Sequence, residues 1–331
     1  MDLSSRSLLS LIAGACLVAA SAPVAAQTAP YPTAKPIQLI VPFPPGGVTD
    51  AAARLLAQEM ETTLKQRIVV SNKAGAGGMI GGTSVVNSPA DGYTVCFCTV
   101  NPAMLATVVD PNPPYQPLRD LAPVGQVSKV ENSIIARTGL AADSLPALIE
   151  LARKNPGKIT YATTGVGSFH HFIGEYLMHT SGVRLVHVPY KGEAPALQAV
   201  MAGEVDLAII SLYSGDSVVQ QKRAKPIAVA QSTRSARWPD VPTMEESGFP
   251  GLVAEAFAGL SVPAGTPPEV INTLHSAMAQ ALKNPTLRKR FETDGNPPVG
   301  STPAEYGAFL AREVKRWSEL SRAANLKLDR N

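Results

Sequence analysis

Short apolar, mostly β-branched runs alternate with stretches of helical periodicity along most of the chain. The first third contains three predicted strands and two predicted helices, at residues 37–41, 50–64, 68–71, 82–87 and 93–98. The helix at 50–64 carries one apolar face, made by Ala53, Leu56, Met60 and Leu64. Such alternation predicts βαβ units, and therefore an α/β fold with mostly parallel sheets.

The same pattern resumes after a Pro-rich connection at residues 110–117. Strands are predicted at residues 133–136, 159–162, 185–188, 205–210, 227–230 and 254–260, with helices at 145–154, 169–181 and 194–202. Three further helices, each with a Pro near its first turn, are predicted at 268–282, 285–294 and 303–324. We expect these last three helices to return and cover the first part of the fold.

The N-terminal segment has the anatomy of a cleaved secretory signal peptide. Arg6 precedes an apolar stretch at 8–20, and the small residues Val24, Ala25 and Ala26 form a cleavage site. A lipid anchor at Cys16 is disfavoured, because the preceding residues lack a large aliphatic side chain. We therefore predict that residues 1–26 are removed and that the mature protein is secreted into the periplasm.

The mature chain is longer than one hydrophobic core usually organises, which predicts two lobes. We assign residues 27–130 and 258–331 to the first lobe and residues 131–257 to the second. The chain then crosses between lobes near 127–132 and again near 257–262. Two crossings make a hinge on which the lobes can open and close around a ligand.

The net charge and the cysteine content exclude some classes of partner and site. The net charge is +3 without a basic run, so no nucleic-acid partner is expected. Cys96 and Cys98 lie two apart in a predicted strand, where a bridge is geometrically poor. We predict two unpaired thiols in the core, and no metal site, because no Cys or His pair stands nearby in sequence.

Two glycine-containing turns follow the first two strands. In residues 41–50 a strand ends at Pro44 and Pro45, Gly46 and Gly47 follow, and a helix begins, which offers unpaired N–H groups to an anion. A tight turn that needs glycine only for its geometry remains the alternative. Residues 72–82 form a second amide-rich loop. Its glycine spacing does not fit the dinucleotide fingerprint, and a phosphate loop is excluded because no Gly-Lys-Ser or Gly-Lys-Thr follows.

The second half repeats this arrangement with hydroxyl groups. Residues 161–171 run from a strand through Thr163, Thr164 and Gly165 into a helix start that could hold the other end of the ligand. His171 and Glu175 share a helix face; a surface or capping pair is favoured over a metal pair or a base, because no further ligand with metal spacing is visible. Lys191 is a candidate counter-ion. No nucleophile elbow or H-E-x-x-H motif appears, so we predict a binder without catalytic residues, and no enzyme.

Taken together, ordered segments across the mature chain resemble the Bug family, the periplasmic receptors of tripartite tricarboxylate transporters. They lie at residues 41–50, 72–82, 91–94, 161–171, 187–192, 240–243 and 261–267. The resemblance implies a two-lobed Venus-flytrap fold, no cofactor, a small carboxylate in the cleft, and the membrane subunits of such a transporter as partner. An orphan receptor that serves as a ligand sensor is the alternative, and a monomer is expected.

Carried over by position, the resemblance implies ligand-binding roles for residues from both lobes. They are Phe43, Pro44, Gly46, Gly47, Asp50, Gly75, Ala76, Gly77, Gly78, Thr163, Thr164, Gly165, Ser168, His171, Tyr190, Lys191 and Ser211. Ile210 and Ser211 stand where relatives often carry a more polar pair, which disfavours a ligand ammonium group. The unusual segment 96–101 suggests an apolar far end of the cleft, so we expect an aromatic or longer aliphatic mono- or dicarboxylate.

Overall fold

The computed structural model describes residues 30–105, 108 and 112–323, and the predicted signal peptide lies outside them. Ten strands are described within these ranges: β1 (Ile37–Val41), β2 (Ile68–Asn72), β3 (Thr94–Thr99), β4 (Leu121–Val130), β5 (Asn132–Arg137), β6 (Thr160–Thr163), β7 (Val186–Pro189), β8 (Leu207–Ser211), β9 (Ala224–Val229) and β10 (Ala256–Pro263). The α-helices described there span Val48–Leu64, Met79–Val86, Pro117–Asp120, Leu145–Lys154, Phe169–Ser181, Glu193–Ala202, Leu212–Gln220, Pro268–Ala281, Pro285–Thr293 and Pro303–Ala323.

The strands form two five-stranded sheets with the same plan. Their orders are β2-β1-β3-β10-β4 and β7-β6-β8-β5-β9. The predicted two-lobed α/β architecture is confirmed, but the sheets are mixed, since two of the four pairings in each are antiparallel. The antiparallel strand is β10 in the first sheet and β5 in the second. Each of these follows a crossing between the sheets, so it runs against the strands of the sheet that it joins.

The crossings lie side by side. Glu131 alone separates β4 from β5, and residues 230–255 lead from β9 to β10. The N–H of Ala230 donates to the carbonyl of Asn132 at 2.9 Å, and the N–H of Ala254 donates to the carbonyl of Ala230 at 2.6 Å. The return therefore occurs at Ala254 and Glu255, ahead of the predicted 257–262, which is already paired within β10. The lobe boundaries predicted from the sequence stay a prediction.

The core of the first lobe follows the predicted helix face. Ala53, Leu56 and Met60 are buried against the sheet, and the helix Pro268–Ala281 packs beside them. The helix Pro303–Ala323 is different because it spans both lobes. Its Tyr306 lies against Phe257 of β10, with ring centroids 6.0 Å apart. Its Trp317 packs against aromatic side chains of the helix Phe169–Ser181 in the second lobe.

Cys96 and Cys98 are bonded as a disulfide, which makes the prediction of two unpaired thiols wrong. Residues two apart in an ideal strand lie about 6.6 Å from each other. Here the two Cα atoms are 5.2 Å apart, a separation within the range that disulfides occupy. Both side chains are fully buried. The contraction of β3 at this point therefore permits a bridge that an ideal strand would disfavour.

Candidate functional site

The first loop joins β1 to the helix Val48–Leu64 at the carboxyl end of the sheet. Residues 44–48 are exposed, and Gly46 has a φ of 83°, in the left-handed region that favours glycine. Gly47 is the N-cap, and no side chain caps this helix start. The amides of the first helical turn therefore keep N–H groups without an intrahelical acceptor. Together with the helix dipole, they form a surface suited to an anion.

The buried carboxylate of Asp50 holds this loop in place by hydrogen bonds. The carboxylate accepts from the N–H of Gly46 at 2.9 Å, from Arg54 Nε at 3.0 Å and from Asn72 Nδ2 at 2.8 Å. Burial opposes its ionisation, but these hydrogen bonds and the charge of Arg54 outweigh it and lower the pKa of Asp50 below its ordinary value. Asn72 Nδ2 also donates to the carbonyl of Phe43 at 3.0 Å. Asp50 thus holds the first loop against β2, and its carboxylate is engaged within the protein.

The second loop consists of four successive residues with positive φ. The values are 127° at Gly75, 46° at Ala76, 62° at Gly77 and 97° at Gly78. The loop is exposed from Lys73 to Gly77. Such a turn can present backbone N–H groups to an anion, although the N–H of Gly78 is used within the loop, where it donates to the carbonyl of Gly75 at 2.9 Å. This loop begins where β2 ends, on the same sheet edge as the first loop.

Asn101 connects the second loop to the other lobe. It opens a π-helical turn, Asn101–Leu105, after β3. A Cβ added at Gly77 would lie 2.9 Å from Asn101 Nδ2. The glycine therefore allows the second loop to approach the π-helical turn. The same Nδ2 donates to the carbonyl of Gly167 in the second lobe at 3.5 Å. The loops of the two lobes therefore meet at this point.

The second-lobe loop is held mainly by its own hydrogen bonds. The N–H of Gly165 donates to Thr163 Oγ1 at 3.2 Å, and the N–H of Gly167 donates to His171 Nδ1 at 3.3 Å. Ser168 caps the following helix, since its Oγ accepts from the N–H of His171 at 3.2 Å. Two of the loop amides are thereby used within the protein.

A buried polar network supports that loop. His171 Nε2 lies 3.4 Å from Glu175 Oε1, to which the hydroxyl of Tyr161 also donates at 2.9 Å. His187 Nε2 lies 2.7 Å from Thr163 Oγ1. Burial, reinforced by the neighbouring His171, lowers the pKa of His187 to about 4, although Glu175 opposes the shift. His171 and Glu175 thus form a pair, but an internal one, because His171 is buried.

A second chain of hydrogen bonds runs from the loop to the crossings. Thr164 Oγ1 lies 3.0 Å from His170 Nδ1, and His170 Nε2 lies 3.1 Å from Asn132 Oδ1. Asn132 Nδ2 donates to the carbonyl of Ala254 at 2.8 Å. Burial lowers the pKa of His170, although Glu193 lies close enough to oppose the shift. The half-buried Thr164 is therefore tied to both crossings.

Ser211 is engaged by Glu193. The N–H of Ser211 donates to Glu193 Oε1 at 2.8 Å, and its hydroxyl donates to Oε2 at 2.9 Å. Ser214 contributes a further hydrogen bond to the same carboxylate. The carboxylate of Glu193 thus lies beside Ser211, at the position from which the sequence disfavoured a ligand ammonium group. Of the last two predicted residues, Tyr190 is half-buried and Lys191 is exposed.

Sequence reasoning missed Asn101, Asn132, His170 and Glu193 as parts of this site. An acidic residue in the first turn of a helix was a usable signal for Glu193. The contacts that join Asn101 to Gly167 and His170 to Asn132 span 66 and 38 residues of the chain, for which no local pattern exists. Among the described residues, no group of three His, Cys, Asp or Glu side chains is placed to hold a metal ion. Within residues 30–105, 108 and 112–323, no helix is long and apolar enough to span a bilayer.

Comparison with known proteins gives a consistent result. The model of the tripartite tricarboxylate transporter receptor family, TctC, matches residues 52–326. Protein BugT of Bordetella pertussis is 37% identical over 309 residues, covering 93% of this chain and 94% of that protein. The structure of the periplasmic binding protein BugD has a TM-score of 0.77 at 34% identity, covering 90% of this chain and 99% of that chain. The R. palustris protein Rpa4515 with adipate has a TM-score of 0.80 at 30% identity, with coverages of 90% and 99%.

Proposed function

The chain belongs to the tripartite tricarboxylate transporter receptor family, and from that premise we propose that it is a periplasmic receptor for a small organic carboxylate. The ligand lies between the two lobes and leaves unchanged, because the protein captures and does not catalyse. Support for the ligand class comes from the R. palustris neighbour, which was solved with adipate.

The observation that carries this proposal is the pair of amide-rich loops on the first lobe. The uncapped helix start after Gly47 and the positive-φ run from Gly75 to Gly78 share one sheet edge. In open α/β sheets this edge, at the carboxyl ends of the strands, is where ligands bind. Unpaired N–H groups and a helix dipole favour a carboxylate there over a neutral group.

Capture follows from the two crossings. The first lobe holds the carboxylate, and the second lobe closes on the hinge near Glu131 and Ala254, bringing Thr164 and its loop to the ligand. Closure is a selection between open and closed states, and a ligand favours the closed state only through contacts that the open state lacks. The closed surface is then what a membrane partner recognises.

One substitution tests the anion site without disturbing the helix. Proline is favoured at the first helical position and has no N–H, so Val48→Pro removes one amide donor while the helix is kept. Gly47 is extended, with φ −79° and ψ 169°, which a following proline accepts. Val48→Ala is the matched control, because it keeps the N–H and shortens an exposed side chain.

The readout is binding of a panel of about a hundred small acids, first by thermal shift and then by calorimetry. A hydrogen bond to a charged group contributes about 1.5–3 kcal/mol, so Val48→Pro should weaken the best acid by about 10-fold or more, and Val48→Ala should not. If no acid raises the melting temperature of ligand-free protein, the carboxylate proposal fails. If both variants bind equally well, the helix start is not the anion site.

The partner and compartment require separate tests. We propose cleavage after Ala26, a monomer, and docking on the membrane subunits of a tripartite tricarboxylate transporter. N-terminal sequencing of the periplasmic protein should begin at Gln27, and light scattering should give one chain. Crosslinking of the ligand-loaded protein to native membranes should recover transporter subunits; recovery of a signalling receptor would favour the sensor alternative.

A further inference from the structure

The hydrogen-bond chain between the crossings and the cleft has only one consistent direction. It begins at the carbonyl of Ala254, which can only accept, so the group of Asn132 that faces it at 2.8 Å is the amide nitrogen. The other amide atom of Asn132 is then its oxygen, and it faces His170 Nε2 at 3.1 Å. Because that oxygen is an acceptor, Nε2 must carry the proton. A flipped Asn132 would instead place its oxygen against the carbonyl oxygen of Ala254.

The same order of donors and acceptors continues from His170 to Thr164, the end of the chain nearest the proposed ligand. A neutral imidazole protonated on Nε2 has an unprotonated Nδ1, which can only accept. Burial keeps His170 neutral by lowering its pKa. Thr164 Oγ1, 3.0 Å from Nδ1, is therefore the donor of that hydrogen bond. The single hydroxyl proton of Thr164 points at His170, and only lone pairs of its oxygen remain for the cleft.

The donors closest to Thr164 are also engaged within the protein. The amides of Gly165 and Gly167 are used by Thr163 and His171. The carboxylate of Glu193 lies 3.8 Å from His170 Nε2. At Thr164 itself the second lobe thus presents an acceptor, whereas the first-lobe loops present amide donors. The exposed ammonium group of Lys191 lies on the separate segment after β7. A ligand that fits both faces has a carboxylate at one end and a hydrogen-bond donor at the other.

We propose that Thr164 is a specificity-determining residue which accepts a hydrogen bond from an O–H or N–H group of the ligand, so that the receptor prefers hydroxy-substituted monocarboxylates to dicarboxylates of the same skeleton. This inference rests on the proposed function and narrows the ligand class. A second carboxylate at this position has no proton to donate and would face the lone pairs of Thr164 Oγ1, whose own proton is used by His170.

Two matched sets of acids test the preference by calorimetry. The first set is pentanoate, 5-hydroxypentanoate and adipate; the second is benzoate, 4-hydroxybenzoate and terephthalate. In each set only the far end changes, from hydrogen to hydroxyl to carboxylate. In the set that fits the cleft, the hydroxy acid should bind about 10-fold more tightly than the other two. Thr164→Val, which has the same shape without the oxygen, should abolish the preference, and Thr164→Ser should keep it.

The outcomes separate the two proposals. A dicarboxylate that binds most tightly, or a preference unchanged in Thr164→Val, would overturn this inference and leave the carboxylate receptor intact. If no acid of either set binds the unsubstituted protein and the wider panel is also negative, the proposed function fails. A measurement without ligand checks the chain directly: long-range ¹H–¹⁵N NMR should report His170 protonated on Nε2. Protonation on Nδ1 would overturn the inference even if a hydroxy acid binds.

Discussion

The imidazole of His171 lies flat against that of His187, with ring centroids 3.8 Å apart and planes 11° from parallel. Both rings lie beneath the second-lobe loop. His171 accepts from the N–H of Gly167, and His187 contacts the hydroxyl of Thr163. The stacked pair therefore fixes the loop that carries Thr164, so protonation of His187 affects the loop as well as the stability of the fold.

This arrangement predicts a dependence of stability on pH. The pKa of His187 is about 4 in the folded protein and about 6.5 in an unfolded chain. Between these values the unfolded state binds more protons, so the free energy of unfolding should decrease as the pH falls from 6.5 towards 4. One proton gives a slope of at most about 1.4 kcal/mol per pH unit.

Urea unfolding at pH 5.0 to 7.5 measures this slope, and this range avoids most of the titration of Glu175. His187→Asn should reduce it, because one titrating group is lost, while the contribution of His170, whose pKa is also lowered by burial, remains. His179→Asn is the control, since His179 is exposed on the same helix as His171, and it should leave the slope unchanged. An equal slope in the original protein and in His187→Asn would contradict the assignment.

Asp50 predicts a separate effect on the first loop. In Asp50→Asn the new amide nitrogen would face either Asn72 Nδ2, in place of Oδ1, or both the N–H of Gly46 and the Nε of Arg54, in place of Oδ2, and all of these are donors. An unsatisfied buried donor costs about 1–3 kcal/mol, so we expect a loss of about 2 kcal/mol in unfolding free energy and weaker carboxylate binding. Gln58→Ala, an exposed change on the same helix, should alter neither quantity. Unchanged binding in Asp50→Asn would show that the loop keeps its shape without the carboxylate.

Much of the secondary structure was predictable because its signals are local. The helix at 169–181 was predicted with its observed bounds, since Ser168 caps its start and Gly182 adopts the left-handed conformation at its end. Strand β4 was missed because it contains Pro123 and Gly125. Such residues argue against a central strand, but β4 lies at the edge of its five-stranded sheet, beside β10, and proline is tolerated there.

In the candidate site, too, the features with local sequence signals were predictable and the long-range contacts were not. The loops at 43–50 and 75–78 were placed correctly at the ends of their strands, since strand, glycine and helix follow each other directly in sequence. Their internal partners were not predictable. Asp50 bonds to Asn72, and Glu193 bonds to Ser211, across 22 and 18 residues respectively. These pairings depend on how the elements pack, which the local pattern does not contain.

Trp317 predicts how strongly the C-terminal helix joins the two lobes. Its ring is fully buried, with centroids 5.0 Å from Phe172 and 5.5 Å from Phe169. Truncation of a buried Trp to Ala typically costs about 3–5 kcal/mol, and we expect that loss in urea unfolding of Trp317→Ala. Lys315→Ala, an exposed change on the same helix, should stay within about 0.5 kcal/mol. A loss below about 1 kcal/mol in Trp317→Ala would show that this contact contributes little.

Substitution of Gly77 by alanine should affect ligand binding, and a second glycine provides a control for the backbone strain that alanine introduces. The φ of Gly77 is 62°, and an added Cβ would lie 2.9 Å from Asn101 Nδ2. Gly157 is a matched control, because its φ is 69° and nothing lies within 4 Å of an added Cβ. Alanine in this conformation costs about 1–2 kcal/mol, so both Gly→Ala variants should lose a similar unfolding free energy.

Only Gly77→Ala should also weaken binding of the acid that gives the largest thermal shift. The added methyl group would displace the side chain of Asn101. That side chain donates to the carbonyl of Gly167 across the cleft. We expect a decrease in affinity of about 10-fold by calorimetry, the effect of about 1.4 kcal/mol, with no change in Gly157→Ala. If the two variants bind equally well, the contact between the second loop and Asn101 has no part in closure, and binding depends on the loop amides alone.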